Sequence, residues 1–191
     1  MFNSKNMNSR NIQIGIIGPE EKNIPGKREE VILKLSEEIG RLVAEEKAIL
    51  ITGGCSGVVE AACRGAYQVG GIVVGTPGRT RGMAIPWTTV EICTPIDIGD
   101  YIFAGILSSD VIIVIPGDAG TLGELAIAYR YRKPLIFIKG FGEDFLAVLQ
   151  LEGWEKYPYY VVQSAGEAVE LAVKIARKIR GGKSNERFST D

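Results

Sequence analysis

The segment Val111–Ile115 (VIIVI) runs directly into Pro116–Glu124 (PGDAGTLGE), and this junction decides the fold. Five consecutive β-branched residues predict a strand that is buried on both faces, as in a parallel sheet. The helical pattern that follows, Leu122–Arg132, places Glu124 near the positive end of a helix. Because the first N–H groups of a helix are unpaired and suit an anion, the turn predicts a ligand site. A plain strand-to-helix turn with a solvated glutamate is the alternative.

The rest of the chain repeats this alternation of strand and helix patterns. The predicted strands are Ile12–Ile17, Ala48–Thr52, Gly71–Thr76, Thr88–Thr94, Asp110–Ile115, Pro134–Ile138 and Tyr159–Val162. The predicted helices are Lys27–Glu46, Val58–Val69, Gly99–Ser108, Leu122–Arg132, Glu143–Leu149 and Ala165–Arg180. This order predicts an α/β fold of the Rossmann-like, doubly wound kind, with a mainly parallel sheet and helices on both faces. We expect one domain over residues 12–180, a flexible N-terminus at 1–11 and a disordered polar tail at 181–191.

Composition excludes several classes of function. The 191 residues contain no histidine, which removes Ser-His and Cys-His nucleophile pairs and histidine metal sites. The formal net charge of −1, from 22 basic and 23 acidic residues, gives no electrostatic footprint for nucleic acid. No apolar run is long enough to cross a bilayer, so we expect no membrane partner. The three cysteines, an odd count without paired spacing, predict a reducing cytoplasm rather than disulfides.

Glycine turns follow three of the predicted strands. Gly18 follows the first strand, and Thr52–Glu60 (TGGCSGVVE) contains a second turn in which Ser56 is placed to cap the next helix. In open α/β sheets, ligands bind outside the carboxyl ends of the strands, where these turns lie. The second turn matches neither the dinucleotide fingerprint nor a P-loop, and Val58 stands where a nucleophile elbow needs glycine. Phosphate cradling and close packing both remain open for it.

Other reactive side chains are weaker candidates. Arg79 and Arg81 flank Thr80 in the loop after the third strand and could clamp a phosphate, or could simply be solvated. Cys55 lies at a helix start, which can lower the pKa of a thiol, but a small residue in a tight turn is the simpler interpretation. Cys63 and Cys93 fall in apolar elements and are predicted to be core residues. We expect neither a metal site nor a resident cofactor.

Two motifs together resemble the LOG ("Lonely Guy") family of nucleoside-monophosphate phosphoribohydrolases, once called lysine decarboxylases, and their molybdenum-cofactor carrier relatives. The family pattern G-G-x-x-G stands here as Gly53–Gly57, and P-G-G-x-G-T-x-x-E stands as Pro116–Glu124. The resemblance covers roughly residues 12–180. It implies that the turns bind a nucleotide phosphate, that Glu124 is catalytic, and that the protein is a homodimer or higher homo-oligomer. The ligand-binding residues so implied or suggested are Gly18, Gly53, Gly54, Ser56, Gly57, Arg79, Arg81, Pro116, Gly117, Asp118, Gly120 and Thr121.

Two positions depart from the family pattern. Active phosphoribohydrolases carry an arginine in the helix before the later strand, and by that register the position here is Tyr101, which has no permanent charge. Asp118 replaces the second motif glycine, and its carboxylate would oppose a bound phosphate. Three functions therefore remain: hydrolysis of the N-glycosidic bond of a nucleoside 5′-monophosphate, carriage or sensing of a nucleotide-like or molybdopterin ligand without turnover, or a vestigial structural role. The expected partner is a small phosphorylated, nucleotide-like ligand.

Overall fold

Seven strands and five helices make up the part of the chain that the computed structural model describes, residues 11–24, 26–94, 100–141 and 159–182. The strands are β1 (Gln13–Ile17), β2 (Ile49–Thr52), β3 (Val73–Gly78), β4 (Val90–Cys93), β5 (Val111–Val114), β6 (Leu135–Ile138) and β7 (Tyr159–Val162). The helices are α1 (Glu29–Glu45), α2 (Val58–Gln68), α3 (Asp100–Ser108), α4 (Ala119–Arg130) and α5 (Ala165–Gly182). The predicted termini and the predicted helix Glu143–Leu149 lie outside the described residues, apart from a few residues at the inner ends of the termini.

The strands form one parallel sheet in the order β4-β3-β2-β1-β5-β6-β7. The chain builds outward from β1 to β4 and then returns to the other side of β1 with β5. The carboxyl ends of β1 and β5 therefore flank the switch point, where α/β sheets bind ligands. The Rossmann-like, doubly wound prediction is confirmed.

Two apolar layers cover the sheet. Helices α1, α2 and α5 pack on one face, against side chains such as Ile14 and Ile113. Helices α3 and α4 pack on the other face, against side chains such as Ile112 and Phe137. Because both faces are covered, β5 and β6 are apolar and buried at every position. No helix in the described segments is both long and apolar enough to span a membrane.

Two glycines let α1 and α2 approach at backbone distance. A Cβ atom on Gly40 of α1 would lie 1.8 Å from the carbonyl oxygen of Ala62, and one on Gly65 of α2 would lie 2.0 Å from that of Glu37. The two contacts are reciprocal, so each helix presents a glycine to the other helix's backbone. This pair of helices fixes where α2 begins, and hence one wall of the cleft described below.

Some element ends differ from the sequence prediction. Helix α4 begins at Ala119, three residues before the predicted Leu122, because Asp118 caps it. The prediction that Cys93 is a core residue is wrong: β4 is one of the two edge strands, and Cys93 is exposed there, whereas Cys63 of α2 is buried as predicted. An apolar pattern does not distinguish an edge strand from a central one.

A half-buried ion pair ties α5 to the start of β5. The Asp110 carboxylate accepts hydrogen bonds from the Arg180 guanidinium, with Nε at 3.0 Å, and from the backbone N–H of Gln13 at 2.9 Å. The two side chains are only 17% and 18% exposed. We expect Arg180→Ala to lower the free energy of unfolding by about 1–2 kcal/mol, because it leaves a partly buried carboxylate without its cation. Urea denaturation measures this.

The control for that prediction is the exposed pair between Arg177 and Glu46, whose charged atoms lie 3.7 Å apart with side chains 69% and 47% exposed. Solvent-exposed ion pairs contribute little, so we expect Arg177→Ala to leave the unfolding midpoint unchanged. Equal effects of the two substitutions would contradict a specific role for Arg180.

Candidate functional site

A cleft lies at the switch point, beyond the carboxyl ends of β1, β2 and β5. It encloses about 60 Å³, enough for a group the size of a phosphate, so a larger ligand would extend from its mouth. The lining residues are Gly18, Glu20, Gly53, Cys55, Ser56, Val59, Asp118, Gly120, Thr121 and Glu124. The cleft thus brings together residues from three glycine turns that are far apart in sequence.

The turn between β2 and α2 depends on glycine geometry. Gly54 and Gly57 have φ values of 74° and 79°, a region that favours glycine. A Cβ atom on Gly57 would also lie 2.5 Å from the backbone oxygen of Pro19, so the turn packs directly on the loop after β1. These two glycines set the backbone path of the turn but do not line the cleft, whereas Gly53 does.

Helix α2 begins without a side-chain cap. Its N-cap residue is Gly57, so the prediction that Ser56 caps this helix is wrong: Ser56 lies one residue too early and lines the cleft instead. Within the described residues, the backbone N–H groups of Cys55 and Ser56 have no hydrogen-bond partner. These unpaired donors stand at the positive end of a helix.

The turn between β5 and α4 is arranged differently. Asp118 is the N-cap of α4, and its carboxylate accepts hydrogen bonds from the N–H of Thr121 at 3.0 Å and from the Thr121 hydroxyl at 3.1 Å. The side-chain amide of Asn23 donates a third hydrogen bond, at 2.6 Å. Burial acts to raise the pKa of Asp118, but these hydrogen bonds hold it below its usual value. A permanent negative charge therefore occupies the start of α4.

Glu124 lies one turn further along α4 and points into the cleft. Burial, with the nearby Asp118 charge as a second cause, raises the pKa of Glu124 to about 8. Within the described residues, no side chain or backbone group hydrogen-bonds to its carboxyl group. At neutral pH Glu124 is consequently a neutral carboxylic acid, which donates a hydrogen bond or a proton rather than stabilising a positive charge.

Cys55 is not an activated thiol. Burial raises the pKa of its thiol, and the charges of Glu20 and Glu124 raise it further. Its sulfur makes a weak contact with the carbonyl oxygen of Gly53, at 3.7 Å. These observations favour the simpler interpretation, a small residue in a tight turn.

Arg79 and Arg81 do not line the cleft. Both are exposed, on a loop that is anchored by Glu91 of β4, whose carboxylate accepts the backbone N–H groups of residues 82–84 at 2.7–2.9 Å. This anchor holds the loop toward the sheet edge. A role for the two arginines in ligand binding stays a prediction.

The remaining motif residues shape the site or lie beside it. A Cβ atom on Gly117 would lie 2.5 Å from the ring of Pro19, so Gly117 packs behind the cleft, and Pro116 is likewise absent from its lining. The side chain of Tyr101, in α3, lies outside the described residues. The sequence reasoning missed Glu20 and Val59. Glu20, two residues after Gly18, could have been found with the same strand-end rule.

Metal ligands do not cluster here. Among the described residues, no three Cys, Asp or Glu side chains are grouped so that they could hold a metal ion.

The fold recurs in solved structures. The molybdenum cofactor binding protein from the phototrophic bacterium Rippkaea orientalis is 29% identical, with a TM-score of 0.74 over 87% of this chain and 98% of that one. The molybdenum cofactor carrier protein from Chlamydomonas reinhardtii is 24% identical, with a TM-score of 0.71 over 87% and 98%. The second match shows the fold alone.

A nucleic-acid-binding protein shares the fold as well. DNA processing protein A from Helicobacter pylori, whose structure concerns single-stranded DNA binding, is 16% identical, with a TM-score of 0.62 over 88% of this chain and 83% of that one. This likeness is one of fold only. The absence of a nucleic-acid partner stays a prediction that rests on charge.

Sequence comparison places the chain in a family. An uncharacterised protein from Archaeoglobus fulgidus is 32% identical over 128 residues, which are 67% of this chain and 80% of that protein. The SLOG cluster4 family matches residues 11–171, which include all seven strands. The resemblance to LOG-like and molybdenum-cofactor carrier-like proteins is therefore confirmed at the level of the superfamily and fold. The chain belongs to the SLOG cluster4 family.

Proposed function

We propose that the cleft binds a small phosphorylated, nucleotide-like ligand and that the protein acts as its carrier or sensor. The observation that carries this proposal is the convergence of three glycine turns on one cleft at the switch point, with backbone N–H groups at Cys55 and Ser56 that have no partner among the described residues. Backbone donors at a helix start bind phosphate without a cationic side chain. Similarity to a molybdenum cofactor binding protein supports a carrier role.

The chemistry of Glu124 favours binding over hydrolysis. N-glycoside cleavage passes through a state that resembles an oxocarbenium ion, which a charged carboxylate stabilises. With its pKa raised to about 8, Glu124 is mostly neutral at pH 7 and lacks that charge. The nearest permanent charge, Asp118, already accepts three hydrogen bonds.

Binding is tested with two matched variants of α4. Gly120 lines the cleft, whereas Gly123, one turn away, does not and has open space around it. We expect AMP, GMP or molybdenum cofactor to raise the melting temperature of the wild type. Gly120→Glu should then weaken binding of the active probe at least about tenfold, and Gly123→Glu by less than about threefold, because only the first variant places a carboxylate inside the cleft that holds the anionic ligand. Calorimetric titration measures both.

Absence of a thermal shift with every phosphorylated probe would rule out the proposed function. Equal losses in the two variants would show that binding occurs elsewhere on the protein, since both variants carry the same added charge on the same helix.

A second candidate function, hydrolysis of a nucleoside 5′-monophosphate, is favoured by one observation. A carboxyl group with a pKa of about 8 is suited to protonate a leaving base as a general acid. If the protein is a hydrolase, release of free base from AMP should decline above about pH 8, as Glu124 loses its proton, and should disappear in Glu124→Gln. If the wild type releases no more free base from AMP than Glu124→Gln does, this candidate function is contradicted.

Two expectations accompany the proposal. A cytoplasmic location and a homodimeric assembly remain predictions from the cysteine pattern and the family resemblance. Light scattering of the purified protein tests the second.

A further inference from the structure

Two of the three glycine turns that line the cleft lie at helix starts, and they differ in what occupies them. At the start of α4, the Thr121 N–H that would meet a ligand phosphate is already bonded to Asp118, as is the Thr121 hydroxyl. The third hydrogen bond, from Asn23, holds the carboxylate in this position from the loop after β1. The protein's own carboxylate thus stands where the family resemblance would place a phosphate.

No carboxylate from the described part of the chain occupies the turn at the start of α2 in this way. Gly57 is the N-cap, no side chain caps the helix, and the N–H groups of Cys55 and Ser56 have no partner within the described residues. The Ser56 hydroxyl lines the cleft beside them. This turn therefore keeps its N–H groups clear of any internal carboxylate among the described residues, whereas the Thr121 N–H and hydroxyl at the α4 turn are bonded to Asp118.

Three acidic side chains line the cleft. Glu20 and Asp118 line the cleft from the loop after β1 and from α4, together with the partly buried carboxyl group of Glu124, which has no hydrogen-bond partner among the described residues. Lys22 is the cation beside them, and its ammonium group is paired with Glu20 at 2.7 Å. A phosphate against α4 would meet the Asp118 carboxylate on the donors it needs. A phosphate against α2 would meet N–H and hydroxyl donors, although the charges of Glu20 and Glu124 also act on that turn.

We propose that the ligand binds with its phosphate at the α2 turn, residues 53–57, and that Asp118 excludes phosphate from α4 and selects a hydrogen-bond-donating group there. This inference rests on the proposed function and adds the orientation and class of its ligand: a phosphate monoester whose other end carries hydroxyl or amino donors, as ribose and amino-substituted heterocycles do. Glu124, protonated and unpartnered, offers that end one further hydrogen bond.

A carboxylate introduced into the α2 turn tests the orientation. Ser56→Asp would fill the α2 turn as Asp118 fills the α4 turn, so AMP affinity should fall at least about tenfold in a calorimetric titration. The matched control is Ser164→Asp, since Ser164 accepts a hydrogen bond from the N–H of Glu167 at the start of α5 and does not line the cleft. AMP affinity should there stay within about threefold of wild type.

A second substitution should restore binding. In Ser56→Asp/Asp118→Gly, the α4 turn is vacated while the α2 turn is filled, so AMP affinity should return to within about threefold of wild type. Unchanged AMP affinity in Ser56→Asp, or no recovery in the double variant, overturns the inference. Circular dichroism confirms that each variant folds.

A crystal structure of the wild type with AMP decides the question without any substitution. A phosphate within hydrogen-bonding distance of the Cys55 and Ser56 N–H groups supports the inference, and a phosphate on Thr121 overturns it. If the wild type binds AMP but Ser56→Asp binds it equally well, only the orientation fails. If no phosphorylated probe binds the wild type, the proposed function itself fails and this inference with it.

Discussion

Gly40→Ala is expected to lower the free energy of unfolding by about 3 kcal/mol, although alanine is the better helix former by about 1 kcal/mol. The added Cβ atom would lie 1.8 Å from the carbonyl oxygen of Ala62, which belongs to the backbone of α2 and cannot rotate away. The two helices must therefore separate, which opens the layer that includes Ile39, Val43 and Cys63. In a chain of this size the melting temperature should fall by about 6–12 °C.

Two further glycine-to-alanine substitutions serve as comparisons for Gly40→Ala. Gly65→Ala makes the reciprocal contact, 2.0 Å from the carbonyl oxygen of Glu37, and should cost a similar amount. Gly123→Ala lies in α4 with nothing within 4 Å of the added atom, so it should stabilise the protein by about 0.5–1 kcal/mol. Chemical denaturation of all three measures the difference. A Gly40→Ala protein as stable as Gly123→Ala would show that α1 and α2 are not in backbone contact.

The second large effect is a pH dependence that comes from Glu124. Its pKa is raised to about 8 in the folded protein by burial and by Asp118, whereas an unfolded glutamate has a pKa near 4.5. Between these values the folded state holds a proton that the unfolded state has released. Stability is therefore full below about pH 4.5 and is lost as the pH rises through about 8. Each unit of pKa difference corresponds to about 1.4 kcal/mol.

Because Glu124 lines an open cleft, water reduces the change in unfolding free energy that the pKa difference would give. We expect about half of that change, roughly 2–3 kcal/mol. Glu124→Gln carries no titrating group, so it should match the wild type at pH 4.5 and exceed it by this amount at pH 9. The measured quantity is the difference in unfolding free energy between the two proteins from pH 4.5 to 9, in which other titrating groups cancel. A difference that does not vary with pH would contradict the raised pKa.

A substitution at Asp118 tests how much its charge contributes to the raised pKa of Glu124. Asp118→Asn removes the charge but keeps an oxygen that can accept the Thr121 N–H. The midpoint of the pH dependence should move to lower pH, because the neighbouring negative charge that disfavours ionisation of Glu124 is gone. An unchanged midpoint would show that burial alone raises the pKa of Glu124.

Strand and helix patterns predicted the architecture because burial on both faces demands it. The residues of β5 and β6 are buried at every position, so continuous apolar runs identified them. The same reasoning failed at the edge, where β4 resembles a core strand in sequence but exposes Val90, Ile92 and Cys93. Whether a strand has one neighbour or two depends on the order of the sheet, which no local pattern carries.

The site was predictable in its position but not in its chemistry. Residues of the glycine turns that were predicted at strand ends line the cleft, and Asp118 departs from the family pattern. That Asp118 caps α4 was open to detection, because aspartate just before a helix is a common N-cap. The N–H groups of Cys55 and Ser56 have no partner among the described residues, and this could not be predicted, because it depends on where the backbone of the loop after β1 lies.

The sequence by itself determined the alternation of strands and helices, the glycine turns that line the cleft and the family of the chain, because these follow from local apolar periodicity and from glycine spacing. Only the tertiary structure decided that Gly40 and Gly65 bring two helices into backbone contact, that Asp118 fills one of two similar turns, and that Glu124 holds its proton at neutral pH. Each of these depends on the distance between atoms of segments that are far apart in the chain, and no local sequence pattern fixes that distance.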